Sequence, residues 1–357
     1  MNAVSIIMAA FAMLGAADRI LGGKFGLAEE FEKGFQMFGS LALAMIGMIA
    51  VSPLIANALA PALNAIHRTL GLDPSIIPAA LFAIDLGGAP LAAEVAKDAR
   101  IGRFSGIVIA SMMGCTISFT IPCALSTVKP ERRRELLLGL LCGGVTIPAG
   151  CFVGGIAMGI PLASLAWNLL PLIVLSVLFA VGLAKCPDLC VKIFSVFGRI
   201  IEILITVGLA LSLLKFLTGV EIVPGMESFE EGAMLVLNAC AVMTGALPML
   251  KILSKLLSKP MHALGARLRV NDASMLGFIG TLATSISTYE MMDKMDRRGA
   301  VLNAAFTVSA AFALADHLAF TLAFDAACLP AMLAGKLTAG VLAVLVAMPV
   351  SRKLIAR

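Results

Sequence analysis

Charged residues are scarce in this sequence and make up only 14% of its 357 positions. A water-soluble domain carries about 25% charged and about 45–50% apolar residues. Hydrophobic residues here reach 60%, and one or two domains of this length have too little interior to keep that much apolar surface away from water. The composition therefore excludes an ordinary water-soluble protein and predicts an all-α polytopic membrane protein.

The usual signatures of a catalytic or metal site are also missing. The sequence contains neither a His-Glu-x-x-His motif nor a Gly-x-Ser-x-Gly nucleophile elbow. Its eight cysteines are scattered through apolar segments, and the pair Cys186 and Cys190 has no second pair with which to bind zinc. We therefore expect no enzymatic activity, no cofactor and no bound metal, and we expect no nucleic-acid partner.

Apolar stretches of about 20 residues, the length needed to cross a bilayer as a helix, recur along the whole chain. Nine of them lie near 3–22, 35–60, 104–126, 135–158, 162–184, 195–218, 232–256, 299–324 and 327–350.

Two further hydrophobic segments, 74–94 and 273–292, are interrupted by polar and small residues. The first contains DLGGAP at 85–90, and the second contains TSISTY at 284–289. A backbone that leaves the helix at membrane depth persists only where protein or a water-filled cavity solvates it. We therefore predict about nine transmembrane helices plus two re-entrant segments with broken helices.

Two halves of the sequence resemble each other. FEKG at 31–34 is echoed by FEEG at 229–232, and LDPS at 72–75 is echoed by NDAS at 271–274. Similarity at a nearly constant offset indicates internal duplication, from which many transporters are built.

The charges of the loops indicate that the repeats are inverted. KPERRRE at 129–135 is strongly basic, whereas its counterpart DAAC at 325–328 has no basic residue. Because cytoplasmic loops collect Lys and Arg, the two counterparts face opposite sides. If segments 74–94 and 273–292 both cross the membrane, the repeat is parallel instead. We predict an outside N-terminus, an inside C-terminus and three parts: repeat 1 at 1–160, a linking helix at 161–187 and repeat 2 at 188–357.

Acidic residues at membrane depth mark the candidate binding site. A charge at the bilayer centre costs about 2.5 kcal/mol or more, so such side chains tend to face a cavity. Asp85 precedes Gly87 and Gly88, which allow the chain to turn and a ligand to approach the backbone. Asp316 and His317 lie within FALADHLAF at 312–320. On a helix these neighbours point about 100° apart, so only one can face a small ligand squarely.

Hydroxyl groups supply the other candidates. Their side chains can bond either a ligand or the backbone of a broken helix. They lie in TSISTY and in GCTISF (114–119) and are Thr284, Ser285, Ser287, Thr116 and Ser118. Lys336 in AGKLTAG (334–340) either balances one of the acids or extends to the membrane interface.

The two embedded carboxylates favour a positively charged ligand, because each buried charge seeks a partner. An aromatic cage for a quaternary ammonium needs several Trp or Tyr side chains, and the chain has only Trp167 and Tyr289. A primary ammonium, held by carboxylate and hydroxyl groups, fits this inventory better than a choline-type group.

The sequence resembles the EutH family of ethanolamine-utilisation transport proteins along its full length. The most specific segments are AADRIL (16–21), LALAMIGM (41–48), IDLGGAPLAAEVA (84–96), SMMGCTISFTIP (111–122), MDRRGAVLNAAFTVSAAFALADHLAF (295–320) and AGKLTAG (334–340). The resemblance implies a permease or facilitator that moves ethanolamine across the bacterial inner membrane, for use as a source of carbon and nitrogen. It also implies a substrate with one ammonium and one hydroxyl.

The sequence differs from the enteric members of the family near the candidate site. It has a compact 219–231 loop, Thr284–Ser285 in place of amides, and Ala315 and Ala319 in place of glycines. A transporter or channel for another small cationic amine or amino alcohol is therefore the alternative, and proton coupling is open. Membrane lipid is an expected partner, and homo-oligomerisation is left open. An intramembrane Asp-His enzyme and a scaffold without transport activity are the rivals from other classes.

Overall fold

The computed structural model describes residues 3–355, which are almost entirely helical and contain no strand. By length and composition, eight helical runs among them can cross a membrane. This confirms the prediction of an all-α polytopic membrane protein. The helices are α1 (Ala3–Ile20), α2 (Leu27–Leu70), α3 (Ile76–Leu81), α4 (Ala89–Val95), α5 (Ala99–Thr127), α6 (Pro130–Ala157), α7 (Leu162–Lys185), α8 (Pro187–Thr218), α9 (Phe229–Leu268), α10 (Asp272–Ala283), α11 (Ser285–Glu290), α12 (Arg297–Ala310), α13 (Asp316–Asp325) and α14 (Leu329–Ile355).

Two helices are much longer than the apolar runs that predicted them. α2 has 44 residues and α9 has 40, so α2 is about 66 Å long at 1.5 Å per residue. Both exceed the hydrocarbon thickness of about 30 Å, so they must tilt or extend beyond it. Each begins with two glutamates in its first turn, where the helix dipole stabilises negatively charged side chains.

The first interrupted segment is a hairpin made of α3 and α4. The Asp73 carboxylate accepts hydrogen bonds from the backbone N–H of Lys97 (3.1 Å) and of Asp98 (2.9 Å). At the tip, Phe82 and Ala83 are extended and Gly87 has a φ of 96°. The segment therefore starts and ends at the same end of the helix bundle.

The second interrupted segment is closed in the same way. The backbone N–H of Asn271 donates to Asp296 Oδ1 at 2.9 Å, and the Asn271 side chain donates to the Lys294 carbonyl at 2.8 Å. Thr284 is extended (φ −156°, ψ 139°) and separates α10 from α11. Both segments thus have the hairpin geometry that re-entrance requires.

The open ends of the two hairpins lie at opposite ends of the bundle, because five long helices, α5 to α9, separate them in the chain. Ion pairs at each end of the bundle agree with this placement of the two hairpins. Arg103, just after the first hairpin, pairs with Asp325 at the end of α13. Arg297, just after the second, pairs with Glu135 at the start of α6.

The single helix predicted at 299–324 is wrong, because the chain breaks between α12 and α13. Phe312 has a φ of 63°, and Ala315 has φ −129° and ψ −103°. The freed backbone groups are bonded by the second hairpin: Phe312 N donates to the Thr281 carbonyl at 3.1 Å, and Leu314 N donates to the Leu282 carbonyl at 2.9 Å. Neighbouring backbone therefore supplies the partners that such a break needs inside a membrane.

The packing of the long helices is reciprocal. α1 packs against α9, α8 packs against α2, and α2 and α9 pack against each other. An internal two-fold relation between 1–160 and 188–357 would exchange these pairs. The packing supports the predicted inverted repeat, which, with its boundaries, stays a prediction.

Candidate functional site

Three acidic or basic side chains and one histidine meet where the two helix breaks approach each other. Asp85 lies at the tip of the first hairpin, Asp316 and His317 begin α13, and Lys336 lies on α14. Oxygen atoms of the two carboxylates and a ring nitrogen of His317 all lie within 4.8 Å of one another. The sequence predicts Asp85, Asp316 and His317 at membrane depth and leaves the depth of Lys336 open, and the structure brings all four together.

Lys336 is a part of this site and does not extend to the membrane interface. Its side chain is only 1% exposed. Its Nζ lies 2.6 Å from the carbonyl oxygen of Ser111 on α5 and 2.9 Å from His317 Nδ1. As an ammonium, Lys336 can only donate, so Nδ1 accepts and the proton of a neutral His317 ring is on Nε2.

The imidazole of His317 is held by packing as well as by Lys336. The ring of Phe312, inside the break, lies over it with centroids 5.2 Å apart, and Phe119 packs edge-on against Phe312 at 5.6 Å. The backbone N–H of His317 also donates to the Phe312 carbonyl at 3.1 Å. The unusual backbone at Phe312 therefore positions His317 directly.

The acidic side chains of the site can take one cation. If both carboxylates are ionised while Lys336 is an ammonium and His317 is neutral, the four side chains carry one net negative charge. Asp316 is 9% exposed, and its Oδ1 is buried without a hydrogen-bond partner. Leaving a buried acceptor unpaired costs about 1–3 kcal/mol, and more for a charged one. A ligand with N–H donors and one positive charge would satisfy both needs.

The same three side chains, Asp85, Asp316 and His317, also have spacing that can hold a metal ion. Lys336 Nζ already lies 2.9 Å from His317 Nδ1 and engages that ring nitrogen. With both carboxylates ionised, the ammonium leaves one net negative charge, which matches a monovalent cation better than a divalent one.

Gly87 and Gly88 shape the hairpin tip next to Asp85. The φ of 96° at Gly87 suits glycine, and a Cβ there would overlap the side chain of Met48. The N–H of Gly88 donates to the Ala83 carbonyl at 2.8 Å and closes the turn. Both glycines therefore hold the loop that presents Asp85.

The hydroxyls of Thr116 and Ser118 are engaged with the backbone. Ser118 Oγ donates to the Gly114 carbonyl at 2.8 Å and accepts from Ala83 N at 3.0 Å, so it partners an N–H freed by the break in the first hairpin. Thr116 Oγ1 lies 2.6 Å from the carbonyl of Met112 and 3.1 Å from that of Val308. In this conformation both hydroxyls tie α5 to its neighbours.

The second hairpin offers one free hydroxyl among its candidates. Thr284 Oγ1 accepts from Ile286 N at 3.3 Å and caps α11, and Ser287 Oγ donates to the Thr284 carbonyl at 3.2 Å. Ser285 Oγ is buried and has no hydrogen-bond partner. Among these three candidates, Ser285 is therefore the one whose hydroxyl is not bonded to the backbone.

Two features of the site could not be predicted from residue types: the main-chain oxygen of Ser111 and the positive φ of Phe312. A buried Lys336 does imply a polar partner, but every residue has a main-chain carbonyl, so the sequence does not show which residue supplies the acceptor. Ser111 lies within the SMMGCTISFTIP segment, and its side chain only bonds the Val108 carbonyl.

Comparison with known proteins places this chain in a family. Residues 1–350 match the family model described as "Ethanolamine utilisation protein, EutH". The chain is 41% identical over 340 residues to a protein of Listeria monocytogenes named "Probable ethanolamine permease EutH", with 95% of this chain and 91% of the relative covered. A protein of the same name from Salmonella typhimurium is 40% identical over 383 residues, with 97% and 94% covered.

A third relative, "Uncharacterized protein YxeR" of Bacillus subtilis, is 38% identical over 342 residues, with 96% of this chain and 92% of the relative covered. No solved structure gives a significant match.

Proposed function

Because the chain belongs to the EutH family, we propose that this multi-pass membrane transporter carries ethanolamine in its protonated form. The permease names of its relatives support transport of a small molecule across a membrane. The observation that carries the choice of substrate is the unpartnered, buried Oδ1 of Asp316, close to the second carboxylate, that of Asp85.

In this proposal the ammonium of the substrate binds between Asp85 and Asp316. Its N–H groups donate to the carboxylates. Its positive charge, together with that of Lys336, balances the two negative charges of the carboxylates. The substrate hydroxyl takes Ser285 Oγ as a partner, with Thr284 and Ser287 as neighbours on the same turn. A quaternary ammonium has no N–H to donate and would leave Asp316 Oδ1 unpaired.

The arrangement of breaks supports an alternating-access mechanism. Two hairpins extend inward from opposite ends of the bundle, and the α12–α13 break that carries Asp316 is hydrogen-bonded to the second hairpin through Thr281 and Leu282. Broken helices with a site near the middle are typical of secondary transporters. A shift of the second hairpin would therefore move Asp316 relative to Asp85.

We place the transporter in the bacterial inner membrane with its N-terminus outside. One end of the bundle contains the turns near 71–75, 96–103, 158–161, 219–228 and 326–328. Among the described residues, the basic side chains at that end are Arg68, Lys97, Arg100, Arg103 and Lys215, whereas KPERRRE and Arg267 to Arg269 lie at the other. The positive-inside rule assigns the basic end to the cytoplasm.

The test of the substrate is a competition series in liposomes that contain the purified protein. Uptake of labelled ethanolamine is measured at acidic pH, where the amine is charged, against unlabelled ethanolamine, propylamine, ethylene glycol and choline. We expect saturable uptake that ethanolamine blocks best, propylamine blocks less well, and ethylene glycol and choline barely affect. Equal competition by choline, or uptake no faster than in empty liposomes, would refute the proposal.

The same series addresses the alternative substrate, another small amine or amino alcohol. A longer amino alcohol that competes better than ethanolamine would identify it. Repeating the assay with and without an imposed proton gradient separates a facilitator from a proton-coupled transporter. Empty liposomes correct for passive entry and trapping of the neutral amine, and the membrane potential is held at zero, so that only coupled transport accumulates substrate beyond the empty liposomes.

A further inference from the structure

An apolar groove lies between α9, α10, α12 and α14. Its volume is about 350 Å³, and its walls are almost wholly hydrocarbon. Its lining includes Leu268, Phe278, Leu282, Phe306, Leu345 and Met348. Because it opens on the outside of the bundle, lipid is the material that it meets in a membrane.

Arginines are concentrated at one end of this groove. Leu268 is followed directly by the exposed Arg269, which ends α9 in a left-handed conformation (φ 56°). Arg352 is exposed and lies four residues, or about one helical turn, after Met348 on α14. Arg269 and Arg352 are also the basic neighbours that act electrostatically on Arg298 near the start of α12.

Arg298 is the buried member of the three. It is 4% exposed, and its Nε has no hydrogen-bond partner. The acid that faces it, Asp296, is already engaged: Oδ1 accepts from Asn271 N and Ser274 Oγ, and Oδ2 accepts from Gly299 N. The cluster thus contains three guanidinium groups and an acid that is committed elsewhere.

We propose that this groove binds an anionic phospholipid, with one acyl chain along the apolar walls and the phosphate on Arg269, Arg298 and Arg352. Guanidinium groups pair with phosphate through two parallel hydrogen bonds, and basic pockets between membrane helices bind acidic head groups. A free phosphate would satisfy the arginines and leave the groove empty. A zwitterionic lipid would fill the groove and leave the positive charge poorly balanced.

The lipid would reinforce the part of the fold that carries the acidic site. Leu282 lines the groove, and its carbonyl accepts the hydrogen bond from Leu314 in the α12–α13 break. Phe278 and Phe306 also line it and pack edge-on at 5.3 Å between ring centroids. An acyl chain bound in this groove would contact α10, α12 and α14 together and should stabilise their packing.

The test uses the full-length protein purified in a neutral detergent, with phosphatidylglycerol, phosphatidylcholine or inorganic phosphate added. Native mass spectrometry counts retained lipid, and thermal unfolding gives Tm. We expect phosphatidylglycerol to be retained and to raise Tm, while phosphatidylcholine and inorganic phosphate do neither. Equal retention of the two lipids, or an equal rise in Tm with phosphate alone, would overturn the proposal.

Variants distinguish this site from general attraction to the basic face. The double change Arg269→Gln and Arg352→Gln, at two exposed positions, should weaken phosphatidylglycerol retention by roughly tenfold or more. Leu345→Trp should block the groove without altering charge and should also reduce retention. The control Arg267→Gln changes an exposed arginine on the same helix and should retain lipid like the parent chain. Parental retention in the double variant would contradict the proposal.

Discussion

At the scale of single residues, the least expected feature is Lys336. A lysine in an apolar helix is usually explained by an extended side chain that reaches the interface, yet Lys336 is buried against Ser111 and His317. Asp85, Asp316, His317 and Lys336 could be recognised from the sequence as polar side chains within hydrophobic segments. Their convergence depends on backbone breaks in three separate segments, which residue identities do not specify.

Lys336→Gln should remove saturable ethanolamine uptake almost completely. Without the ammonium, two carboxylates would face each other with no fixed counter-charge, and His317 Nδ1 would lose its charged donor. Uptake is compared at equal amounts of protein in liposomes, and Lys251→Gln, at a partly exposed position on α9, is the control. Normal uptake in Lys336→Gln would remove this side chain from the charge balance of the site.

Ser118→Ala should destabilise the protein by about 1–3 kcal/mol, since Ala83 N loses its acceptor in a buried place. Ser111→Ala is the matched control on the same helix, because Ser111 Oγ only bonds the Val108 carbonyl three residues earlier. Thermal unfolding of the two variants in detergent checks the difference. If Ser118→Ala matches its control in Tm and instead changes only substrate affinity, the hydroxyl belongs to the ligand site.

At the scale of elements, the sequence indicated both hairpins but not the third break. DLGGAP and TSISTY contain glycine and hydroxyl residues that signal a departure from helix. AFALA at 311–315 consists of residues that favour or tolerate helix, so local propensity predicted continuity. The break is maintained by bonds to Thr281 and Leu282, some 30 residues away in the chain, and no local pattern reports such partners.

The tip of the first hairpin should be sensitive to a single methyl group. Gly87→Ala should destabilise the protein by about 2 kcal/mol or more, because it combines a positive φ with an overlap against Met48. Gly159→Ala is the control, since Gly159 also has a positive φ (68°) but open space around it, and should cost about 1 kcal/mol. Thermal unfolding distinguishes them, and equal losses would show that the tip is not tightly packed.

At the scale of the whole molecule, the helical class and the membrane assignment followed from composition alone. The lengths of α2 and α9 did not, because their polar ends continue the helix beyond the apolar runs. The proposed inverted repeat rests on loop charge, on hairpins that open at opposite ends and on reciprocal packing of the first two helices of each half.

Cysteine labelling tests this orientation. In a background with the exposed Cys186 replaced by serine, His262→Cys should react with an impermeant thiol reagent only from the cytoplasmic side. Ile222→Cys, at a position 62% exposed, should react only from the outside. The reverse pattern would invert the assignment, and labelling of both from one side would contradict the predicted number of crossings.

The central claim is that Asp316 receives the ammonium of the substrate. Its most direct test is the initial rate of labelled ethanolamine uptake by liposomes containing the parent protein, Asp316→Asn or Asp188→Asn, which changes an exposed acid at the start of α8. The account predicts saturable uptake in the parent and in Asp188→Asn, and uptake at the level of empty liposomes in Asp316→Asn with its Tm retained. Parental uptake by Asp316→Asn would contradict it.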